Sequence, residues 1–254
     1  MHRLITAFLA AALGGACSPA STRAVVQTDE GRPDHAAASH SHHHGDASQH
    51  ADHHGGMHHK FTDADAWTKV FDDPARDEWQ RPDDVVRALE LAPAMTVADV
   101  GAGTGYFAVR LARAVPAGEV IATDVEPDMV RFLSERARRE HLSNLRATHA
   151  TGTASGLAAH SVDRILIVDV WHHIDDRAAY ARDLAAALRP GGKLFVVDFT
   201  LTAHRGPPPN VRLAPEAIIA DLAAAGLVAS LSSVALPDQY IVEARLAGQG
   251  KGDK

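Results

Sequence analysis

The chain has 254 residues, 46% of them hydrophobic, with 25 Lys and Arg against 32 Asp and Glu and a formal net charge of −7. An acidic balance without a basic cluster argues against nucleic acid as a main partner. A single cysteine excludes an internal disulfide, so cysteine usage does not identify the redox compartment.

The front of the chain differs in kind from the rest. Met1-His2-Arg3 is a short polar head, and Leu4 to Leu13 is an apolar run too short to span a bilayer as a helix. Small residues then lead to Cys17, the pattern of a secretory signal peptide over 1–17. The place of Cys17 resembles a bacterial lipoprotein signal, although Gly14 stands where leucine is usual. That resemblance implies export and a lipid anchor on Cys17 at the periplasmic side of a membrane; the alternative is a cytoplasmic protein with an apolar leader. Residues 18–62 show no apolar periodicity and are expected to be a disordered, His-rich tether. As a flexible coil of about 45 residues it would extend on the order of 35–40 Å. His42, His43, His44, His53, His54, His58 and His59 lie in this stretch. Neutral imidazole is a good ligand for Zn²⁺, Ni²⁺ or Cu²⁺, but no fixed spacing is present, so the tract reads either as an adaptable metal site or as a solvated spacer.

From residue 63 the pattern becomes that of an α/β domain. About 185 residues, 63–247, suit one such domain with a full core, followed by a flexible tail over 248–254. The segment Phe71 to Pro82 contains Asp73-Pro74 and Arg81-Pro82, each followed by acids, which read as helix starts. Trp79 with Arg76 and Arg81 reads either as packing or as a lid lined by one aromatic and two cations. Val97-Ala98-Asp99-Val100 is a short strand ending at Gly101-Ala102-Gly103-Thr104-Gly105, and Phe107, Leu111 and Val115 then recur on one helical face. Strand, glycine turn and helix form the opening unit of a nucleotide-binding domain, in which the helix presents free N–H groups and its positive end to a ligand.

The spacing is not that of the dinucleotide fingerprint, because Gly105 comes one residue early and Asp99 precedes the turn by two. A carboxylate at that point repels a pyrophosphate and suits a ligand carrying an ammonium group. Glu119 to Asp124 reads as a second strand whose terminal acid stands where a ribose-binding carboxylate belongs. Pro127 then opens a helix with Met129, Leu133 and Ala137 on one face; Met129 reads either as core or as a contact for an adenine ring. In that helix Arg136, Arg138 and Arg139 beside Glu135 and Glu140 read as a solvated face. A third strand is expected over Asn144 to His149 and a fourth over Val162 to Val170, nearly all apolar as for a strand covered on both faces. A helix over Asp176 to Leu188 should stop at Arg189-Pro190-Gly191-Gly192, before a fifth strand from Lys193 to Phe199. A helix from Pro215 to Ala225 precedes two last strands, Leu227 to Val234 and Gln239 to Arg245, whose short link predicts antiparallel pairing.

The glycine turn, Leu188-Arg189-Pro190-Gly191-Gly192-Lys193 and Ala224-Ala225-Gly226-Leu227 together resemble class I S-adenosylmethionine-dependent methyltransferases. The resemblance covers about Asp63 to Leu246. It implies a doubly wound, seven-stranded, mostly parallel sheet of Rossmann-like type, with the last strand antiparallel between the fifth and the sixth. It also places Asp99, Gly101, Ala102, Gly103, Gly105 and Tyr106, then Asp124 and Val125, then Thr153, around S-adenosylmethionine. Relatives often carry an acid for the adenine amino group after the third strand; here Ala150 to Gly156 has none, and Thr153 or a backbone carbonyl is left to replace it. The stretch Phe71 to Pro82 and Trp171-His172-His173-Ile174 resemble a bacterial subgroup without a substrate that these residues identify.

In α/β sheets the site lies outside the carboxyl ends of the strands. Asp169, His172 and His173 follow the fourth strand there and are the candidate catalytic residues: either histidine as base, with Asp169 orienting one. The competing reading makes one histidine the cap of the helix starting near Asp175. Asp198, after the fifth strand, is a further wall residue. The expected activity is methyl transfer to a small-molecule acceptor by a membrane-tethered enzyme. The alternative is an exported metal-binding lipoprotein whose methyltransferase-like domain is inactive, since S-adenosylmethionine is made in the cytosol and the leader points outward.

Overall fold

The computed structural model describes residues 63–248. The leader with Cys17, the histidine tract from His42 to His59 and the tail beyond 248 lie outside the described residues. Three short helices come first: α1 (Ala64–Phe71), α2 (Arg76–Gln80) and α3 (Pro82–Ala88). Pro82 opens α3, and Asp83 and Asp84 fill its first turn, where carboxylates face the positive end of the helix.

The alternating unit then repeats through β1 (Thr96–Val100), α4 (Ala108–Ala114), β2 (Glu119–Asp124), α5 (Pro127–Arg139), β3 (Leu145–His149), β4 (Val162–Val168), α6 (Arg177–Ala187), β5 (Leu188–Phe199), α7 (Pro215–Ala224), β6 (Leu227–Leu231) and β7 (Gln239–Leu246). The sheet order is β3-β2-β1-β4-β5-β7-β6. Strands β1 to β5 are parallel, while β7 runs antiparallel to both β5 and β6. This is the seven-stranded topology the resemblance implied.

Period-two alternation divides the strand side chains between two cores. Leu166 and Val168 of β4 pack with Leu89, Leu111 and Leu133 on one face. Ile165 and Ile167 pack with Tyr180, Leu184, Ile218 and Leu222 on the other. Each fully buried Leu or Ile contributes ~1.5–3 kcal/mol relative to exposure, so a strand buried on both faces is fixed in register by its own side chains. Met129 belongs to a small third cluster with Ala64 and Phe132, against which Trp67 and Phe71 pack.

Boundaries differ from expectation where backbone geometry overrides the apolar pattern. Strand β4 stops at Val168 because Asp169 takes φ 60°, and Trp171–His173 form a single 3₁₀ turn. Strand β5 begins at Leu188, which already pairs with Val162, and the register then shifts before Arg164 meets Lys193. The Arg189–Gly192 stop therefore ends α6 but lies inside an irregular strand. Strand β6 closes at Leu231 rather than Val234.

Strand order reverses on either side of β1: the chain moves outward to β2 and β3, then returns to β4 on the opposite flank. The crevice outside the carboxyl ends of β1 and β4 is the topological switch point, where ligands bind in open α/β sheets.

Candidate active site

The glycine turn is held at the switch point by backbone bonds. The N–H groups of Gly101 and Ala102 both donate to the Thr123 carbonyl, at 2.8 and 3.0 Å, tying the turn to the end of β2. Gly105 has φ +96°, and a Cβ there would stand 2.7 Å from the Leu133 side chain of α5. Left-handed backbone and missing space both demand glycine at that position.

Two carboxylates flank this turn. Asp99, near the end of β1, is 3% exposed, and its Oδ2 has no hydrogen-bond partner. Burial first, then the neighbouring Asp124, push its pKa up to about 7, against a smaller opposing pull from Arg76. Asp124, at the end of β2, accepts from Gly103 N–H at 2.8 Å and from Glu126 N–H at 3.0 Å. Burial raises its pKa too, and these backbone donors offset part of the rise. Asp124 thus braces the turn into α5 and the glycine loop at once. Thr104 adds a buried hydroxyl without a partner. An unpartnered buried carboxylate oxygen costs stability until a donor or cation meets it. The donor set therefore fits a ligand with a positive group and hydroxyls, as S-adenosylmethionine has in its ammonium, sulfonium and ribose.

Helices α1 and α2 close over the turn. The Phe71 ring lies 3.4 Å from where a Gly103 Cβ would stand. Arg136 of α5 reaches Asp72 at 2.7 Å and the Thr104 carbonyl at 2.9 Å, so it is a brace for this cover and not part of a solvated face. Tyr106 lies between two guanidiniums, those of Arg76 and Arg110, each 4.1 Å from its ring centre, and its hydroxyl donates to Asp77.

Arg76 is central to the arrangement. Its Nη1 donates to the Phe71 carbonyl at 2.8 Å and its Nε to Gln80 at 3.0 Å. Gln80 donates to Gln239, Gln239 donates to Asp169, and Asp169 faces Arg76 at 3.7 Å, which closes a ring of four side chains. Burial lowers the Arg76 pKa, and Asp169 is the largest opposing influence. Asp169 itself is pushed up to about 7 by burial. A half-buried, left-handed, non-glycine residue at the end of a strand is a strained feature of the kind concentrated at functional sites.

Three expected pairings are corrected. Asp169 does not orient a histidine, because Gln239 and Arg76 hold its carboxylate. Asp198 of β5 does so instead, with His172 Nδ1 3.0 and 3.1 Å from its two oxygens. The ends of β4 and β5 are neighbours in the sheet, which is why the carboxylate from β5 reaches the turn after β4. Nor does either histidine cap α6: Asp176 does, accepting from Ala179 N–H at 2.9 Å. The second cation of the cover is Arg205, 5.2 Å over Trp79, whereas Arg81 pairs with Asp84.

The remaining candidates fall on the same rim. Val125 is exposed and its carbonyl meets the His149 ring at 3.1 Å. Thr153 is exposed, with its hydroxyl 3.3 Å from that of Thr151. The His173 ring stands 4.2 Å from that of His172. Gln80, Gln239 and Arg205 carry no motif and were not among the expected residues. Among the described residues, no group of three or more His, Cys, Asp and Glu is placed to hold a metal ion.

A glycine turn between two buried carboxylates, at the switch point of a sheet whose seventh strand enters antiparallel between the fifth and sixth, is the arrangement that the resemblance to class I S-adenosylmethionine-dependent methyltransferases implied. Residues 97–192 match the family model described as a methyltransferase domain. An uncharacterized methyltransferase of Mycobacterium tuberculosis is 36% identical over 117 residues, 46% of this chain and 44% of that protein. A ubiquinone/menaquinone biosynthesis C-methyltransferase of Pasteurella multocida is 30% identical over 106 residues, 41% of this chain and 40% of that protein. The chain thus spans less than half the length of these curated relatives. A crystal structure of a SAM-dependent methyltransferase from Aquifex aeolicus superposes with TM-score 0.65 at 26% identity, covering 72% of this chain and 97% of that one. The family-model match thus falls on β1 to the start of β5, the part of the chain that carries the glycine turn and both carboxylates.

Proposed function

We propose that the protein is an S-adenosylmethionine-dependent methyltransferase acting on a small-molecule acceptor, exported and held on the periplasmic side of a membrane through a lipid on Cys17. The observation that carries the catalytic part is the Asp99–Asp124 pair at the glycine turn, with one Asp99 oxygen buried and unpartnered. Asp99 would meet the ammonium group, the backbone of Gly101 to Gly105 would cradle the methionine part, and Asp124 would accept from the ribose hydroxyls. When bound, the cofactor supplies a methyl group on a positively charged sulfur. The protein's share is to orient the acceptor, exclude water beneath α1 and α2, and hold or take a proton where the acceptor has one to lose.

The tethering part rests on the leader and on Cys17 alone. No helix among the described residues is long and apolar enough to cross a membrane. Thermal unfolding of the full chain tests the catalytic part. Ligand at about a hundredfold its Kd should stabilise the fold by about 2.7 kcal/mol. A melting curve unmoved by S-adenosylmethionine, together with a clear response to Zn²⁺, would favour the metal-binding lipoprotein with an inactive domain.

A further inference from the structure

The carboxyl ends of β4 and β5 carry a buried pair that the cofactor reading does not use. His172 Nδ1 bonds to Asp198, and the two side chains are 3% and 0% exposed. Asp198 also accepts from its neighbour's N–H at Phe199, 2.8 Å away. A carboxylate accepting from Nδ1–H fixes the neutral imidazole with its lone pair on Nε2, the form a general base needs. Helix capping does not explain the residue, since Asp176 caps α6.

The charged and titratable surroundings come from five elements. They are Asp198 of β5, His173 of the same turn, Asp169 at the end of β4 with Arg76 of α2 behind it, and Tyr240 of β7 within electrostatic reach of Asp198. Phe199 directly follows Asp198, and Trp79 of α2 stacks on it with ring centres 5.8 Å apart. Arg205 lies over Trp79 at 5.2 Å.

We propose that His172 takes the acceptor's proton, that Asp198 is its positioning residue, and that the acceptor is a phenolic hydroxyl on a planar ring. This rests on the methyltransferase reading above. A neutral amine or a thiolate attacks without losing a proton and makes no use of a histidine–carboxylate pair. A phenol, at pKa about 10, stands about 3.5 units above histidine, a gap a positioned base can bridge during reaction. An aliphatic alcohol, closer to water at about 15.7, leaves a far wider gap for the same base to bridge, so a phenol is the better-matched acceptor. Trp79, half-buried on α2, suits a planar ring, and the Arg76 guanidinium facing Asp169 suits the negative charge that grows on its oxygen. In the step, the phenol proton passes to His172 Nε2 and its bonding pair stays on oxygen. That oxygen bonds to the methyl carbon as the carbon–sulfur bond breaks toward sulfur, and His172 then returns the proton to water.

The full chain, supplied with S-adenosylmethionine, is assayed with catechol as the phenolic probe and benzyl alcohol and benzylamine as comparisons. Methylation is expected for catechol alone. His172→Gln should lower kcat by about 10²–10⁴ and abolish the acid-side inflection of the pH profile, with the cofactor Kd changed by less than about twofold. Asp198→Asn should lower kcat at least about tenfold, and ¹⁵N shifts should show His172 losing its Nδ1-protonated tautomer. Melting curves establish that each variant is folded; if Asp198→Asn is not, the His172→Gln profile and the wild-type ¹⁵N tautomer decide. A loss under about threefold in His172→Gln overturns the base assignment. Catechol left untouched while the cofactor binds overturns the acceptor class. Failure of the wild type to bind S-adenosylmethionine overturns instead the reading on which both rest.

Discussion

Replacing Asp99 by Asn should make the ligand-free protein more stable at neutral pH while weakening its hold on the cofactor. Burial holds the Asp99 pKa at about 7, against the 3.8 of an ordinary aspartate. A raised carboxyl pKa means that between these values the folded state keeps a proton the unfolded state has lost. Stability contributed by this group is therefore full below pH ~4 and falls as pH rises toward 7. Over the roughly 1.5 units from pH 5.5 to 7, at about 1.36 kcal/mol per unit, wild type should lose about 2 kcal/mol that the Asn variant keeps. Above pH ~7 the difference levels off. Urea unfolding of both proteins at pH 5.5, 7 and 8 reads this directly, as midpoints shifted at constant m-value. The same substitution should weaken S-adenosylmethionine binding by about 1.5–3 kcal/mol, the worth of a hydrogen bond to a charged group. It should also flatten a wild-type affinity that rises with pH through about 7. Parallel stability profiles for the two proteins would refute the claim that Asp99 is a buried acid with one unpartnered oxygen kept for a cationic ligand.

Asp124→Ala should weaken S-adenosylmethionine binding by about 1.5–3 kcal/mol in calorimetric titration, and unchanged affinity would return Asp124 to the role of a brace between the turn and α5. Gly105→Ala should destabilise the fold by about 1–3 kcal/mol in urea, because φ +96° and the Leu133 contact both oppose a Cβ. Wild-type protein should partition with membranes into detergent, and Cys17→Ser should be released or left unprocessed; wild type recovered soluble with Met1 intact would refute both export and anchoring.

The glycine turn and the two carboxylates beside it were legible because they are local in sequence. Asp99 lies two residues before Gly101, and Asp124 ends the very next strand, so spacing alone placed them at one crevice. The acceptor half was only partly legible. His172 and Asp198 were each found as residues following a strand, but their pairing depends on β4 and β5 lying side by side. Asp169 was expected to serve the histidine because it is near in sequence, yet its φ of 60° turns it into the ring with Gln239 and Arg76. Gln80 and Gln239 stand 159 residues apart and carry no pattern that would bring them together. Of the two readings of Trp79, the lid joins it to Arg81 by nearness in sequence, whereas the structure sets Arg205, remote in sequence, over its ring and pairs Arg81 with Asp84. Strand boundaries failed where φ changed without a change in hydropathy, as at Asp169 and in the Arg189–Gly192 segment.

The most direct test of the account is calorimetric titration of the full chain with S-adenosylmethionine, its demethylated product and NAD. Binding of one S-adenosylmethionine per chain, comparable binding of the product and much weaker binding of NAD is the predicted result, because Asp99 beside the early Gly105 repels a pyrophosphate and attracts an ammonium group. NAD binding as tight as S-adenosylmethionine, or no binding of either, would contradict it.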